Sequence, residues 1–168
     1  MKLLGIDLAG KTTNHTGICL FREGNLEFKT LSSDEQILNI IGEFKPEVVA
    51  IDAPIMQGEP RIRNADRELK KYGALPPTLP AMKTLTRRGT TLARKITHCR
   101  VIEVFPTATA KILGIYEKNW RKTAENLSLR VANKHEFDAY LCVLTAQLFV
   151  EKKTQEIGDA EGTIIVPQ

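Results

Sequence analysis

Short apolar segments near the start of the chain predict three β-strands. These segments, residues 2–8, 16–21 and 26–31, are separated by polar stretches, and Glu23-Gly24-Asn25 is typical of a tight turn. Because consecutive strands joined by short turns pair antiparallel, we expect the fold to begin with an antiparallel meander.

An amphipathic helix and a buried strand follow the meander. Ser32 and Ser33 each have Glu or Gln three residues later, as in a capping box, and apolar residues then recur at helical spacing as far as Phe44. Residues 48–51 are an unbroken apolar run, which is typical of a strand buried on both faces and parallel to its neighbour.

The second half of the chain alternates between helical and strand patterns. Residues 64–72 are compatible with a helix that ends at Gly73, and a stiff, proline-rich segment follows as far as residue 80. The later patterns predict a helix over 84–95 interrupted at Gly89, a strand over 100–105, helices over 107–116 and 133–150, and a short strand over 163–166. This order predicts an α/β fold with a mixed sheet flanked by helices.

Composition indicates an ordinary globular chain. The 168 residues are 42% hydrophobic and 26% charged, so we expect a single domain over residues 1–168. Three widely spaced cysteines without a CxxC pair predict neither a disulfide framework nor a zinc site. We find no signal-peptide pattern and no apolar run that could span a bilayer, so we expect a cytoplasmic protein with no membrane partner.

Charge is distributed unevenly along the chain. Between Arg61 and Arg100 stand eleven basic and two acidic residues, so this stretch carries +9 and the rest of the chain −5. Clustered Lys and Arg are what binding to a phosphate backbone requires, and nucleic acid is the predicted partner. A solvated helical face would give the same pattern.

Four acidic residues lie where apolar elements end or pack. Asp7 and Asp52 follow apolar runs at the C-terminal edge where ligands bind in open α/β sheets. Glu103 alternates with apolar neighbours and is expected to point inward, and Asp138 shares the apolar stripe of the last helix. Each acid also has a structural interpretation, as a turn residue, an edge-strand charge or a complement to the helix dipole. Together they favour a hard divalent cation, Mg²⁺ or Mn²⁺.

The chain resembles the RNase H-like superfamily, including its RuvC-type resolvases, and is most similar to a family of predicted nucleases of that fold. The segments that carry the resemblance are GIDLAG (5–10), VAIDAP (49–54), RNADREL (63–69), RG (88–89), EVFP (103–106) and HEFDAY (135–140). The resemblance implies a five-stranded mixed sheet and metal binding by Asp7, Asp52 and Asp138. It makes His135 and Glu136 secondary candidates. The chain departs from the resolvase pattern in having Asp52 instead of a glutamate and in a basic helical insertion at about residues 54–100.

We therefore predict hydrolysis of phosphodiester bonds by a two-metal mechanism. Asp7 would bridge two ions, Asp52 and Asp138 would hold one each, and Glu103 or Glu136 would complete a shell or orient water. Five arginines are the predicted substrate-binding residues: Arg61, Arg63, Arg67, Arg87 and Arg88.

Two other functions are consistent with the sequence. A nucleic-acid-binding protein could keep the fold without catalysis. An actin-like or sugar-kinase-like phosphotransferase is suggested by residues 7–12, although the chain is short for two lobes and has no GxxxxGK[ST] loop. The choice between DNA and RNA and the oligomeric state, a homodimer included, stay open.

Overall fold

The computed structural model describes residues 1–168 and contains seven strands and six helices. The strands are β1 (Lys2–Asp7), β2 (Thr16–Arg22), β3 (Asn25–Leu31), β4 (Val48–Asp52), β5 (Arg100–Glu103), β6 (Thr154–Asp159) and β7 (Gly162–Pro167). The helices are α1 (Asp34–Phe44), α2 (Asn64–Glu68), α3 (Pro80–Lys95), α4 (Pro106–Ile112), α5 (Trp120–Asn126) and α6 (Lys134–Val150). A 3₁₀ turn, Leu69–Tyr72, follows α2.

Five strands form one mixed sheet in the order β3-β2-β1-β4-β5. The first three strands pair antiparallel, whereas β4 runs parallel to both β1 and β5. Strands β6 and β7 form a separate antiparallel hairpin. The prediction of an α/β fold with a mixed sheet flanked by helices is therefore confirmed.

Each face of the sheet is covered by different helices. Because side chains alternate along a strand, Ile6 and Ile51 pack in the core on the side of α1 and α3. Leu3 and Ala50, of opposite parity, pack against α6 on the other face. The parity of a residue therefore decides which helices it meets.

Helix α6 lies unusually close to strands β1 and β2. A Cβ atom added at Gly5 would stand 2.1 Å from the carbonyl oxygen of Ala139, and one added at Gly17 would stand 2.0 Å from that of His135. No side chain fits at either point, so only glycine allows this contact between main chains. The N-terminal part of α6 is thereby fixed against the ends of two strands.

Three elements differ from the sequence prediction. Helix α3 is continuous through Gly89. That glycine serves close packing instead of interrupting the helix, because an added Cβ would stand 2.7 Å from the Cβ of Ala53. Helix α5 and strand β6 were not predicted. Both are short and mostly polar, so their sequences lack the apolar periodicity on which the prediction depended.

All three cysteines are free thiols, and Cys19 and Cys142 are buried. None of the helices combines the length and the apolar character that a bilayer crossing needs.

Candidate active site

Asp7 and Asp52 lie side by side at the C-terminal ends of two parallel strands. They are register partners in the pairing of β1 with β4, so their Cα atoms face each other across one strand spacing, about 4.8 Å. Their parity is that of Leu3 and Ala50, which places both carboxylates on the sheet face that α6 covers. The strand pairing therefore brings together the first two predicted acids.

Asp138 joins them from the N-terminal part of α6. The ring of His135, one turn earlier, bonds through Nδ1 to the Asp7 carboxylate at 2.8 Å, which fixes α6 at the end of β1. The charges of Asp7 and Asp138 both act on Asp52. The Asp7 and Asp138 side chains keep 15% and 16% of their surface exposed, so the cluster is open to solvent.

The Asp52 carboxylate accepts no hydrogen bond from a neighbouring side chain or backbone N–H group. Burial raises that pKa well above the ordinary aspartate value, and the negative charges of Asp7 and Asp138 raise it further. Burial also raises the pKa of Asp138, although Lys134 opposes the shift. Asp52 is thus a desolvated acceptor beside two other carboxylates, an arrangement that a cation would relieve.

Lys134 brings a positive charge to the three aspartates. Its ammonium group bonds to Asp138, one helical turn away. Burial lowers the pKa of Lys134, but the bond to Asp138 and the charges of Asp7 and Asp52 raise it overall. Lys134 was not among the predicted site residues, although its i,i+4 spacing from Asp138 is visible in the sequence.

The oxygen donors fit a hard divalent cation in chemistry, but they are not assembled into a complete ligand set. No group of three or more His, Cys, Asp and Glu side chains has a geometry that could hold a metal ion. Asp7 is bonded to His135 and Asp138 to Lys134, whereas Asp52 accepts no such bond. The ammonium of Lys134 stands in for part of the charge that a metal ion would bring. Asp7, Asp52 and Asp138 remain the residues that would hold it.

Glu103 points to the other face of the sheet. Its register partner on β4 is Ile51, which packs on the α1 and α3 side, so alternation directs Glu103 away from Asp7 and Asp52. There it accepts hydrogen bonds of 2.7 Å from both terminal nitrogens of Arg63 and one of 2.8 Å from the backbone N–H of Ile55. Glu103 points inward as predicted, but its bonds serve the core and not the aspartate cluster.

Both carboxylate oxygens of Glu136 also accept hydrogen bonds that hold the fold. One carboxylate oxygen accepts from the Thr30 hydroxyl at 2.9 Å, and the other accepts from the backbone N–H of Ala132 at 2.7 Å. The residue is buried and ties the start of α6 to β3. The predicted role of Glu136 in the metal shell or in orienting water therefore has no geometric basis.

Two of the five predicted substrate-binding arginines are buried. Arg63 is fully buried between Asp66 and Glu103, to which it donates bonds of 2.7 to 3.0 Å. Arg88 donates to the carbonyl oxygens of Ala9 and Ser32 and to Asp34. Both guanidinium groups hold the fold together and cannot reach a phosphate, which corrects the prediction for these two residues.

The other three arginines are accessible. Arg61 pairs with Glu161 and Arg87 with Glu59, both on the surface, whereas Arg67 bonds only to the side chain of Asn64. Exposed ion pairs contribute little to stability, so Arg61 and Arg87 could exchange a carboxylate for a phosphate, and Arg67 has no carboxylate partner to give up.

Replacing Asp52 with asparagine is expected to stabilise the protein in EDTA at neutral pH. An aspartate whose pKa is raised by folding loses stability as the pH rises from its unfolded value of about 3.9 towards the raised value. The Asp52→Asn variant escapes that loss. Urea unfolding followed by circular dichroism should show a higher unfolding free energy than wild type at pH 7, and a smaller gain near pH 4.

The exposed Asp159 offers a matched control for this measurement. Asp159→Asn removes the same charge on the β6–β7 hairpin and should not reproduce the gain. A less stable Asp52→Asn protein at pH 7 would show that the Asp52 carboxylate is not destabilised by its surroundings.

Comparison with protein-family models and with curated proteins finds no match to this chain.

Proposed function

We propose that this protein is a divalent-metal-dependent nuclease of RNase H-like fold that hydrolyses phosphodiester bonds of DNA or RNA. One observation carries the proposal: Asp7 and Asp52 are register partners on parallel strands, and Asp138 reaches the same sheet face from α6. Three carboxylates that repel one another at a solvent-open edge are stable neighbours when a cation joins them.

The order of the strands supports the RNase H-like part of the proposal. A three-stranded antiparallel meander continues into parallel strands through β1, as that fold implies. Aspartates at the ends of β1 and β4 and in the last long helix occupy the positions that the resemblance assigned to metal ligands.

The residues around the cluster have separable tasks. Asp7, Asp52 and Asp138 would hold Mg²⁺ or Mn²⁺, which when bound supplies charge neutralisation and a more acidic water. His135 fixes the orientation of the Asp7 carboxylate through its 2.8 Å bond. Arg61, Arg67 and Arg87 are accessible cations for backbone phosphates and would act by position more than by reading sequence.

Labelled oligonucleotides test the proposal directly. Single-stranded and double-stranded DNA and RNA would be incubated with the protein in EDTA, in Mg²⁺ and in Mn²⁺, and the products separated by length. We expect shorter products only with added metal. Absence of cleavage for all four substrates with both metals would contradict the proposal.

A nucleic-acid-binding protein without catalysis is the second candidate. It is favoured by the incomplete ligand set and by the Lys134 ammonium beside Asp138. Under this alternative, binding would fall steeply with salt while no metal produced cleavage. The cleavage and binding assays together therefore separate the two candidates.

Replacing Lys134 with methionine is expected to tighten Mn²⁺ binding. Lys134 competes with a metal ion for the same carboxylates, and its partly exposed pair with Asp138 contributes about 1 kcal/mol or less. The affinity measured by isothermal titration calorimetry should therefore rise by about two- to fivefold.

Lys153 provides the control for this titration. It forms an exposed ion pair with Glu151 at 2.7 Å, outside the aspartate cluster, so Lys153→Met should leave the Mn²⁺ affinity unchanged. Weaker Mn²⁺ binding by Lys134→Met would mean that the lysine supports the metal site and does not compete with the metal ion.

A further inference from the structure

A small apolar cleft opens beside Asp52, and Asp138 is not part of its lining. It has a volume of about 210 Å³ and lies between the start of the proline-rich segment, helix α3 and the end of β5. Eight hydrophobic residues line it, among them Leu75, Met82, Leu85, Phe105 and Ile164. Since cavities for drug-sized ligands measure about 300–1,000 Å³, this cleft is suited to a single ring system.

The mouth of the cleft carries an apolar side chain that the fold leaves in water. Leu75 is 57% exposed although it lines the cleft, and the nearby Leu79 is 42% exposed. The backbone here is stiff, because the rings of Pro76 and Pro77 fix φ at two successive residues. The leucines are therefore held at the rim instead of collapsing into the space, which leaves apolar surface for a ligand.

The polar groups of the cleft are acceptors. Asp66 and Glu103 line it, and both are bonded to the buried Arg63, so the trio keeps one net negative charge. Oδ1 of Asp66 and Oε1 of Glu103 each accept one bond, from Nη2 of Arg63, and each has a lone pair left for a second donor. No Lys or Arg lines the cleft. The lining disfavours a phosphate and favours a neutral, flat group that carries N–H donors.

Cations lie just outside the cleft on the same segments. Lys70 and Lys71 immediately precede the proline-rich wall, and Lys83 stands on α3 between two lining residues; all three are exposed. An anionic chain could therefore follow the rim while one of its neutral groups enters. Asp52 belongs both to this lining and to the aspartate cluster, so the cleft borders the proposed cleavage site.

From these observations we infer that the cleft binds one unpaired nucleobase with an exocyclic amino group, such as cytosine or adenine. The inference rests on the proposed function in taking nucleic acid as the ligand. Apolar walls would cover the ring faces, and the free lone pairs of Asp66 and Glu103 would accept from the amino group. A base inside a duplex cannot enter, so the substrate region at this point is single-stranded or unpaired.

Fluorescence anisotropy in EDTA tests the inference without any cleavage. The probes are three labelled single strands of equal length: oligodeoxycytidine, oligothymidine and an abasic sugar-phosphate chain. We expect wild type to bind oligodeoxycytidine about tenfold more tightly than the abasic chain, since a bond to a charged acceptor contributes that much. Oligothymidine, whose base has no amino group, should bind more weakly than oligodeoxycytidine.

Two matched leucine variants separate the cleft from general binding. Leu75→Ser should remove most of the preference for oligodeoxycytidine and leave the abasic chain bound as before. Leu113→Ser changes a leucine that is 37% exposed outside the cleft and should alter neither affinity. Circular dichroism would verify that both variants are folded.

The outcomes distinguish this inference from the proposed function. Equal binding of oligodeoxycytidine and the abasic chain, or an equal effect of the two leucine variants, overturns the base site even if cleavage is found. Equal binding of oligodeoxycytidine and oligothymidine overturns selection of the amino group. A base preference that depends on Leu75 would support the base site even if no metal supports cleavage. Failure to bind any of the three strands would overturn the base site.

Discussion

Replacing Asp7 with asparagine should abolish metal-dependent cleavage while the protein stays folded and still binds nucleic acid. Asn keeps the size of the side chain and an oxygen that can accept from His135, but it removes the charge at the junction of β1, β4 and α6. Loss of one group that stabilises charge in a transition state costs about 10²–10³ in rate, and loss of a shared metal ligand should cost at least as much.

The measurement is the initial rate of cleavage of a labelled oligonucleotide in Mn²⁺, with anisotropy in EDTA as the binding readout. Asp159→Asn again serves as the control, because Asp159 lies on the exposed β6–β7 hairpin, and it should retain the wild-type rate. If the cleavage rate of Asp7→Asn were within about tenfold of the wild-type rate, the proposed mechanism would be wrong. A rate that high would mean that the Asp7 charge contributes little to catalysis.

Replacing Arg63 with methionine is expected to lower the free energy of unfolding by about 3–5 kcal/mol, because the change leaves two carboxylates buried without their cation. Arg63 donates to Asp66 and Glu103 and also to the carbonyl oxygen of Ile55, three residues after Asp52. The loss of stability should therefore be accompanied by a looser strand end at Asp52. Urea unfolding measures the first effect.

Two comparisons make the Arg63 result specific. Arg61→Met breaks the partly exposed pair with Glu161 and should cost no more than about 1 kcal/mol. Adding Asp66→Asn and Glu103→Gln to Arg63→Met removes the stranded charges and should recover part of the loss. If Arg63→Met costs less than Arg61→Met, the buried trio is not the stabilising unit that its bonds suggest.

The pattern of apolar residues predicted much of the fold, and it also predicted where the three aspartates lie. The runs before Asp7 and Asp52 identified strand ends, and the stripe of the last helix placed Asp138 towards the core. Glu103 shows where such reasoning stops. Alternation showed that it points inward, but the face to which it points depends on its register with Ile51, and pairing between distant strands cannot be seen in the sequence.

The arginines could not be sorted from the sequence for a related reason. A cluster of positive charge looks the same whether its members are solvated or paired inside the protein, and both Arg63 and Arg88 turned out to be buried. Their partners are separated from them by as many as 79 residues along the chain. Lys134 was overlooked for the opposite reason: a lysine one turn from an aspartate is usual on any exposed helix.

The absence of side chains at Gly5 and Gly17 has a consequence for how the aspartates keep their spacing. Because main chain rests on main chain at both points, the separation between α6 and the sheet does not depend on rotamers. Thermal motion of side chains in the core leaves that separation unchanged, and only an opening of the whole helix would alter it. The main-chain positions from which Asp7 and Asp138 extend should therefore keep their spacing for as long as the domain is folded.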